Sequence, residues 1–98
     1  MITKENAKQM VGQGWSGLIE GIYSFLPESA IVGDVKEKFG GLRFYVYNID
    51  DLADDKIDGI LTASNHICEM CGAEGKHVSV HGWTKTLCAK HKEELNAT

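Results

Sequence analysis

Three cysteines and one histidine near the end of the chain have the spacing of a metal site. Cys68 and Cys71 form a C-x2-C pair, and Cys88 and His91 form a C-x2-H pair after a spacer of sixteen residues. Thiolate and imidazole groups are the donors that a tetrahedral zinc ion prefers, and structural zinc sites use four of them. The pattern therefore predicts that these four residues bind a structural Zn2+ ion.

The number and type of these donors argue against chemistry at the metal. A catalytic zinc has three protein ligands and one position for water, whereas four strong ligands close the site. Three thiolates also place so much negative charge on the ion that it would activate a water poorly. All three cysteines of the chain are assigned to the metal, so none remains as a nucleophile. We therefore expect the protein not to be an enzyme.

The length of 98 residues fits a single compact domain with two parts, an α+β body over residues 1–65 and a carboxy-terminal, zinc-binding lobe over residues 66–98. A chain this short has a marginal core, and a metal that couples binding to folding stabilises it. No segment is apolar enough to span a bilayer, and the amino terminus lacks the pattern of a signal peptide. Cysteines in ligand spacing then favour a cytoplasmic protein.

The beginning of the chain predicts an amphipathic helix over residues 4–26, with Thr3 as its N-cap and Pro27 ending it. Its apolar stripe either packs in the core or binds in a groove of a partner. The glycines beside Trp15 permit the close approach of another backbone.

Residues 30–47 predict a β-hairpin whose turn is Gly40–Gly41. One face of the return strand is apolar and is expected in the core; it consists of Leu42, Phe44 and Val46. The opposite face consists of Arg43, Tyr45 and Tyr47. Arginine and tyrosine are common in the centres of protein interfaces. This face is therefore either a partner-binding surface or the seam to the carboxy-terminal lobe.

A second helix is expected over residues 50–67, running directly into Cys68. Five aspartates crowd its first turns: Asp50, Asp51, Asp54, Asp55 and Asp58. Carboxylates at a helix start cap free amides and complement the helix dipole, which accounts for most of this cluster. The alternative is a partner-binding surface formed by Asp50, Asp51, Asp54 and Asp55.

The carboxy-terminal lobe is expected to begin with a glycine-rich turn that points backbone N–H groups at the thiolates. A strand, a turn, a strand and a helix follow, at residues 76–81, 82–83, 84–87 and 89–95. This is the order of a treble-clef zinc finger. His77 and His81 alternate onto one strand face. They leave open the alternative of a small metal-dependent nuclease, although the paired catalytic residues of HNH-type nucleases have no counterpart here.

Three stretches of the sequence carry a resemblance to a known group of proteins. They are KEKFGGLRFY at residues 36–45, ICEMCG at 67–72 and GWTKTLCAKH at 82–91. With these stretches the chain resembles small phage and prophage proteins, most of which are uncharacterised. The resemblance implies a treble-clef-like zinc module on an α+β body and a viral or mobile-element origin. It carries no known activity.

The net charge of −4 comes entirely from residues 48–59, and no segment has a basic excess. Phosphate neutralisation supplies most of the affinity of nucleic-acid binders, so this balance disfavours DNA or RNA as the partner. We expect a non-enzymatic protein-interaction module that modulates a host protein, such as a component of a defence system, and a homo-oligomer is left open. The alternative is nucleic-acid binding by a basic face with an aromatic residue, formed by Lys76, Lys85, Lys90, Lys92 and Trp83.

Overall fold

A computed structural model describes residues 1–97 as four α-helices and two antiparallel β-hairpins. The elements in chain order are α1 (Lys4–Gln9), α2 (Ser16–Phe25), β1 (Ile31–Lys38), β2 (Gly41–Tyr47), α3 (Asp51–Ser64), β3 (Lys76–Val80), β4 (Trp83–Leu87) and α4 (Ala89–Asn96). The predicted α+β class, with a Cys/His cluster beside the last helix, is confirmed. No helix within residues 1–97 has the length and apolar character that a membrane span requires.

The single helix predicted over residues 4–26 is wrong, because the chain leaves the helical path after Gln9. The Thr3 side chain caps α1 as expected, accepting a hydrogen bond from the Asn6 N–H. A short 3-10 turn at Gln13–Trp15 then leads into α2. The break places Gly12 and Gly14 against the backbone of residues 68–72. In a continuous helix the backbone amides of this segment would be bonded within the helix, and the contact would not form.

Trp15 lies in the core of the body, with none of its surface exposed. The core consists of residues from both early helices, the first hairpin and α3: Ala7, Trp15, Ile19, Ile22, Val32, Val35, Leu42, Phe44 and Ile57. The stripe of the first helical region is therefore a core stripe, and the partner-groove alternative is not supported for Trp15.

The turn of the first hairpin is Phe39–Gly40, one residue earlier than predicted. Both residues have positive φ, at 54° and 80°, and Gly41 already pairs with Lys38 in the ladder. Two such residues form the tight turn that matches the twist of the flanking strands. The predicted alternation on β2 is confirmed, since Leu42 and Phe44 are buried. Arg43, Tyr45 and Tyr47 lie exposed on the outer face.

Helix α3 begins and ends with specific hydrogen bonds. The Asp50 carboxylate caps it by accepting from the Ala53 N–H at 2.8 Å. At its other end the buried Ser64 hydroxyl accepts from the Leu42 N–H at 2.9 Å, which ties α3 to β2. The helix ends there, so the prediction of a helix to residue 67 is three residues too long. Residues 65–67 form a turn that leads into Cys68.

The second hairpin turns at His81–Gly82, where φ is 51° and 85°. The predicted turn at Gly82–Trp83 is wrong, because Trp83 is the first residue of β4 and pairs with Val80. The apolar cluster of the carboxy-terminal lobe is small, with Cys68, Val80 and Leu87 as its buried residues. Such a core supplies little stabilisation by itself, so the lobe depends on further constraints.

Candidate metal centre

The four predicted ligands come together at the junction of the second hairpin and α4. Cys68 and Cys71 stand on the knuckle, residues 68–75, which follows the turn after α3. Cys88 is the N-cap of α4, and His91 lies in its first turn. One ligand atom from each residue lies within 4.8 Å of all the others. The carboxy-terminal Cys3His cluster that the spacing predicted is therefore present, and it can hold a metal ion.

The distances between the donor atoms fit a tetrahedral ion. With Zn–S bonds of about 2.3 Å and Zn–N bonds of about 2.0–2.1 Å, tetrahedral angles separate two sulfurs by about 3.8 Å and a sulfur from a nitrogen by about 3.6 Å. The Cys71 and Cys88 sulfurs are 3.8 Å apart. The His91 Nδ1 lies 3.6 Å from the Cys68 sulfur and 3.3 Å from the Cys88 sulfur. The cluster thus needs little rearrangement to coordinate zinc.

Backbone amides stabilise negative charge on two of the sulfurs. Burial alone would raise the pKa of the Cys68 thiol, but the backbone N–H groups of Cys88, Met70 and Cys71 donate to it and lower that pKa to about 6. The backbone N–H of His91 lowers the pKa of Cys88 in the same way. These four donors lie outside the glycine-rich turn, residues 72–75, that was expected to direct amides at the thiolates, and Ala73 is the residue of that turn whose N–H does so, at Cys71.

Crowding of the sulfurs has the opposite effect at Cys71. The Ala73 N–H lowers the pKa of this thiol, but desolvation and the adjacent sulfurs of Cys68 and Cys88 outweigh it, and the pKa is raised. Three sulfurs within one small volume repel one another when ionised. A divalent cation at their centre would remove that repulsion.

His91 is oriented with Nδ1 toward the sulfurs and Nε2 toward a carboxylate. The Nε2 atom lies 3.6 Å from an oxygen of Glu94, one turn further along α4. The bonds to the Cys88 and Cys68 sulfurs raise the pKa of the imidazole. Metal-bound histidines commonly have a carboxylate beside their second ring nitrogen, which fixes the ring and its tautomer. Glu94 lies where such a carboxylate would lie, and the spacing of the ligands did not indicate it.

The knuckle rests directly on the glycine-rich segment before α2. The Gly14 N–H donates to the Glu69 carbonyl at 2.9 Å, and the Trp15 indole N–H donates to the Ile67 carbonyl at 2.9 Å. A Cβ on Gly14 would lie 2.0 Å from the Cys68 carbonyl oxygen, and one on Gly12 would lie 2.1 Å from the Glu69 carbonyl oxygen. The expectation that these glycines admit another backbone is confirmed, and that backbone is the metal-binding knuckle.

Glu69, between the first two cysteines, is a buried carboxylate with defined partners. Only 7% of the residue is exposed. Its carboxylate accepts from the Thr86 N–H at 3.1 Å and from the Lys85 ammonium at 3.2 Å. Thr86 in turn donates its hydroxyl proton to the Gly40 carbonyl at 2.5 Å. This chain of bonds joins the knuckle, β4 and the first hairpin. No sequence signal distinguished Glu69 from a surface glutamate.

Replacing Glu69 with alanine is expected to weaken the fold without touching a metal ligand. The change leaves the buried Thr86 N–H without an acceptor, and such a loss costs about 2 kcal/mol. The free energy of unfolding, measured by urea titration of the metal-loaded protein, checks this. Glu74→Ala is the matched control, because Glu74 is exposed on the same knuckle. Equal stability of both variants would contradict the role assigned to Glu69.

The remaining histidines and the aspartates of α3 do not converge on a second site. His77 Nε2 lies 2.9 Å from the Asn65 side-chain oxygen, and His81 Nε2 lies 3.3 Å from the Leu95 carbonyl. Among residues 1–97, three or more potential metal ligands come together in one place, the Cys3His cluster. The described part of the chain thus shows no second such group at His77 and His81.

The four lysines that were expected to form a nucleic-acid surface differ in their exposure and in their ion pairing. Lys85 is half-buried and paired with Glu69. Lys76, Lys90 and Lys92 are exposed, the first on β3 and the other two on α4, and Trp83 is 74% exposed. One of the four expected cations is thus engaged within the protein.

Comparisons of the chain with protein-family models, with curated proteins and with solved structures found no significant match. The resemblance to phage and prophage proteins therefore stays a prediction that rests on the three stretches themselves.

Proposed function

We propose that the protein is a zinc-stabilised, non-enzymatic module that binds another protein through the outer face of its first hairpin. Four soft donors at tetrahedral separations support zinc as the ion and leave no coordination position for a substrate. The metal then has a structural role, holding the knuckle and α4 together.

The open outer face of the hairpin, formed by β1 and β2, is the observation that carries the proposal. The opposite face packs on the core and on α3 through Leu42 and Phe44. On the outer face Tyr45 is 43% exposed and Tyr47 is 60% exposed. Large exposed tyrosines on a rigid strand lose little conformational entropy on binding and are frequent anchors of protein interfaces.

The strand register places cations beside these tyrosines. Lys36 lies directly opposite Arg43, and Lys38 follows on the same face. Asp34 is the acidic residue of the face, and its carboxylate lies 3.8 Å from the Lys36 ammonium. The outer face is therefore basic and aromatic, although the sequence as a whole is acidic. Charge complementarity favours a partner with an acidic binding surface.

The aspartates at the start of α3 are the second surface considered for partner binding. The Asp50 carboxylate is engaged as the N-cap, whereas Asp51, Asp54 and Asp55 are exposed. Helix-start stabilisation accounts for acidic residues here without a partner. We therefore assign binding to the outer face. The phage-like resemblance supports a host protein as the partner, with modulation of a defence component as its biological consequence.

Replacing Arg43, Tyr45 and Tyr47 together with serine is expected to abolish capture of the protein partner from a host lysate. Interface anchors contribute at least about 1–2 kcal/mol each, so three losses reduce affinity more than a hundredfold. Quantitative mass spectrometry of the captured proteins is the measurement. None of the three side chains belongs to the buried core, so the variant should still unfold in a cooperative transition.

The matched control carries Asp51→Asn, Asp54→Asn and Asp55→Asn and should capture the partner as the wild type does. Capture lost only in this control would assign binding to α3 and overturn the choice of the outer face. Capture retained by both triple variants would remove both surfaces.

A further inference from the structure

Two largely exposed aromatic side chains line one cleft between the two hairpins. Phe39 is 67% exposed and Trp83 is 74% exposed. Both line a cleft of about 260 Å³, together with Glu37, Lys38, Thr84 and Lys85. Next to the cleft the Thr86 hydroxyl donates to the Gly40 carbonyl, which holds β4 against the turn of the first hairpin.

Phe39 is also in an unfavourable backbone conformation. Its φ of 54° is in the left-handed region, which glycine and asparagine adopt far more readily than an aromatic residue. The side chain gains no burial in return, since two thirds of the residue is exposed. A strained residue that contributes nothing to the core points to a role outside folding.

We propose that the Phe39–Trp83 cleft is an anchor pocket for a partner protein, and that it receives an apolar side chain next to an aspartate or glutamate of that partner. This inference rests on the proposed function and names the partner segment that such a module recognises. The two rings supply the apolar walls. Lys38, whose ammonium lies 5.6 Å from the centroid of the Phe39 ring, supplies the positive charge.

The charges around the cleft select a protein segment over a nucleic acid. Lys85 is paired with Glu69, while Lys38 has no ion pair among residues 1–97. Glu37 also lines the cleft, and one of its oxygens accepts from the Gly40 N–H. Since the Gly40 N–H holds one Glu37 oxygen, Lys38 is the cation of the cleft that can pair with a single acidic side chain. A run of phosphates would require several unpaired cations.

A displayed library of random octapeptides, selected on the zinc-loaded full chain, tests this inference. The expected consensus is an apolar residue adjacent to Asp or Glu. The affinity of an enriched peptide, labelled with fluorescein, is then measured by fluorescence anisotropy, a readout that does not depend on Trp83. Phe39→Asn and Trp83→Thr are each expected to weaken it about tenfold or more. Phe39→Asn creates an Asn-Gly turn, so its melting temperature should equal or exceed that of the wild type.

Enrichment of the same peptides by the Phe39→Asn, Trp83→Thr double variant would overturn the inference, as would a consensus without acidic residues. Salt-sensitive quenching of Trp83 by a dT12 oligonucleotide, lost in Phe39→Asn, would assign the cleft to nucleic acid and also overturn it. If the double variant still captures the host protein but the Arg43, Tyr45, Tyr47 variant does not, the anchor pocket is wrong while the proposed function stands.

Discussion

Gly14→Ala is expected to destroy the native packing of the knuckle, residues 68–75, on the body. The new Cβ would lie 2.0 Å from the Cys68 carbonyl oxygen, 2.6 Å from the Gly72 nitrogen and 2.7 Å from the Cys71 nitrogen. All three atoms are backbone, so no side-chain rotation relieves the clash. Separating the two segments also breaks the bond from the Gly14 N–H to the Glu69 carbonyl.

The expected loss from Gly14→Ala is about 4 kcal/mol or more, at the upper end of single substitutions. A domain of this length has a total stability of roughly 5–15 kcal/mol. The variant should therefore be largely unfolded or melt at a much lower temperature. Thermal unfolding followed by circular dichroism of the zinc-loaded protein is the measurement.

Gly17→Ala is the matched control for Gly14→Ala. Gly17 lies inside α2, and a Cβ there would meet no atom within 4 Å. Alanine is favoured over glycine in a helix interior by up to about 1 kcal/mol, so this variant should be more stable than the wild type. Similar melting of the two alanine variants would show that the knuckle does not rest on Gly14 as described.

Cys68→Ser is expected to abolish zinc binding and unfold at least residues 66–95. Zinc binding contributes about 10–16 kcal/mol in small zinc-finger peptides near neutral pH, and that free energy is also folding free energy. The carboxy-terminal lobe has few buried apolar residues to replace it. Cys88→Ser and a strong chelator should have the same effect. Zinc content by atomic absorption and amide hydrogen exchange of the lobe are the measurements.

The structure predicts that Cys68→Ser also destabilises the body, residues 1–65. The Trp15 indole donates to the Ile67 carbonyl next to the ligand, and the Thr86 hydroxyl donates to the Gly40 carbonyl. Disorder of the knuckle and β4 removes both bonds, so exchange protection should also fall around α2 and the first hairpin.

His91→Cys is the control for loss of a ligand. It replaces one donor by another that zinc accepts, so it should retain one zinc per chain and a cooperative transition. A melt that is unaffected by Cys68→Ser and by a strong chelator would refute the structural role of the metal.

Local sequence signals predicted most of the elements and all four ligands of the candidate site. The C-x2-C and C-x2-H spacings bring together the two donors within each pair, and the fold brings the two pairs together. The alternation on β2 likewise determined that Leu42 and Phe44 are buried, since successive side chains point to opposite faces. The turns were each misplaced by one residue, because Phe39 and His81 take positive φ values that their residue types do not signal.

The first helix was predicted too long because its apolar period continues through the break. Periodicity depends on which residues face the core, and Val11 and Trp15 face it on both sides of Gly12. The backbone departs from the helix there to pack against residues 68–72, which are more than fifty positions away in the chain. A contact between such distant segments leaves no periodic signal.

The sequence by itself indicated the four residues of the Cys3His cluster, the α+β class and the two faces of the first hairpin, because each depends on local spacing or strand alternation. Only the tertiary structure decided that Gly14 supports the knuckle and that Glu69 connects it to β4. It also revealed the shared cleft of Phe39 and Trp83. These features depend on distances between segments far apart in the chain, which packing of the whole core sets.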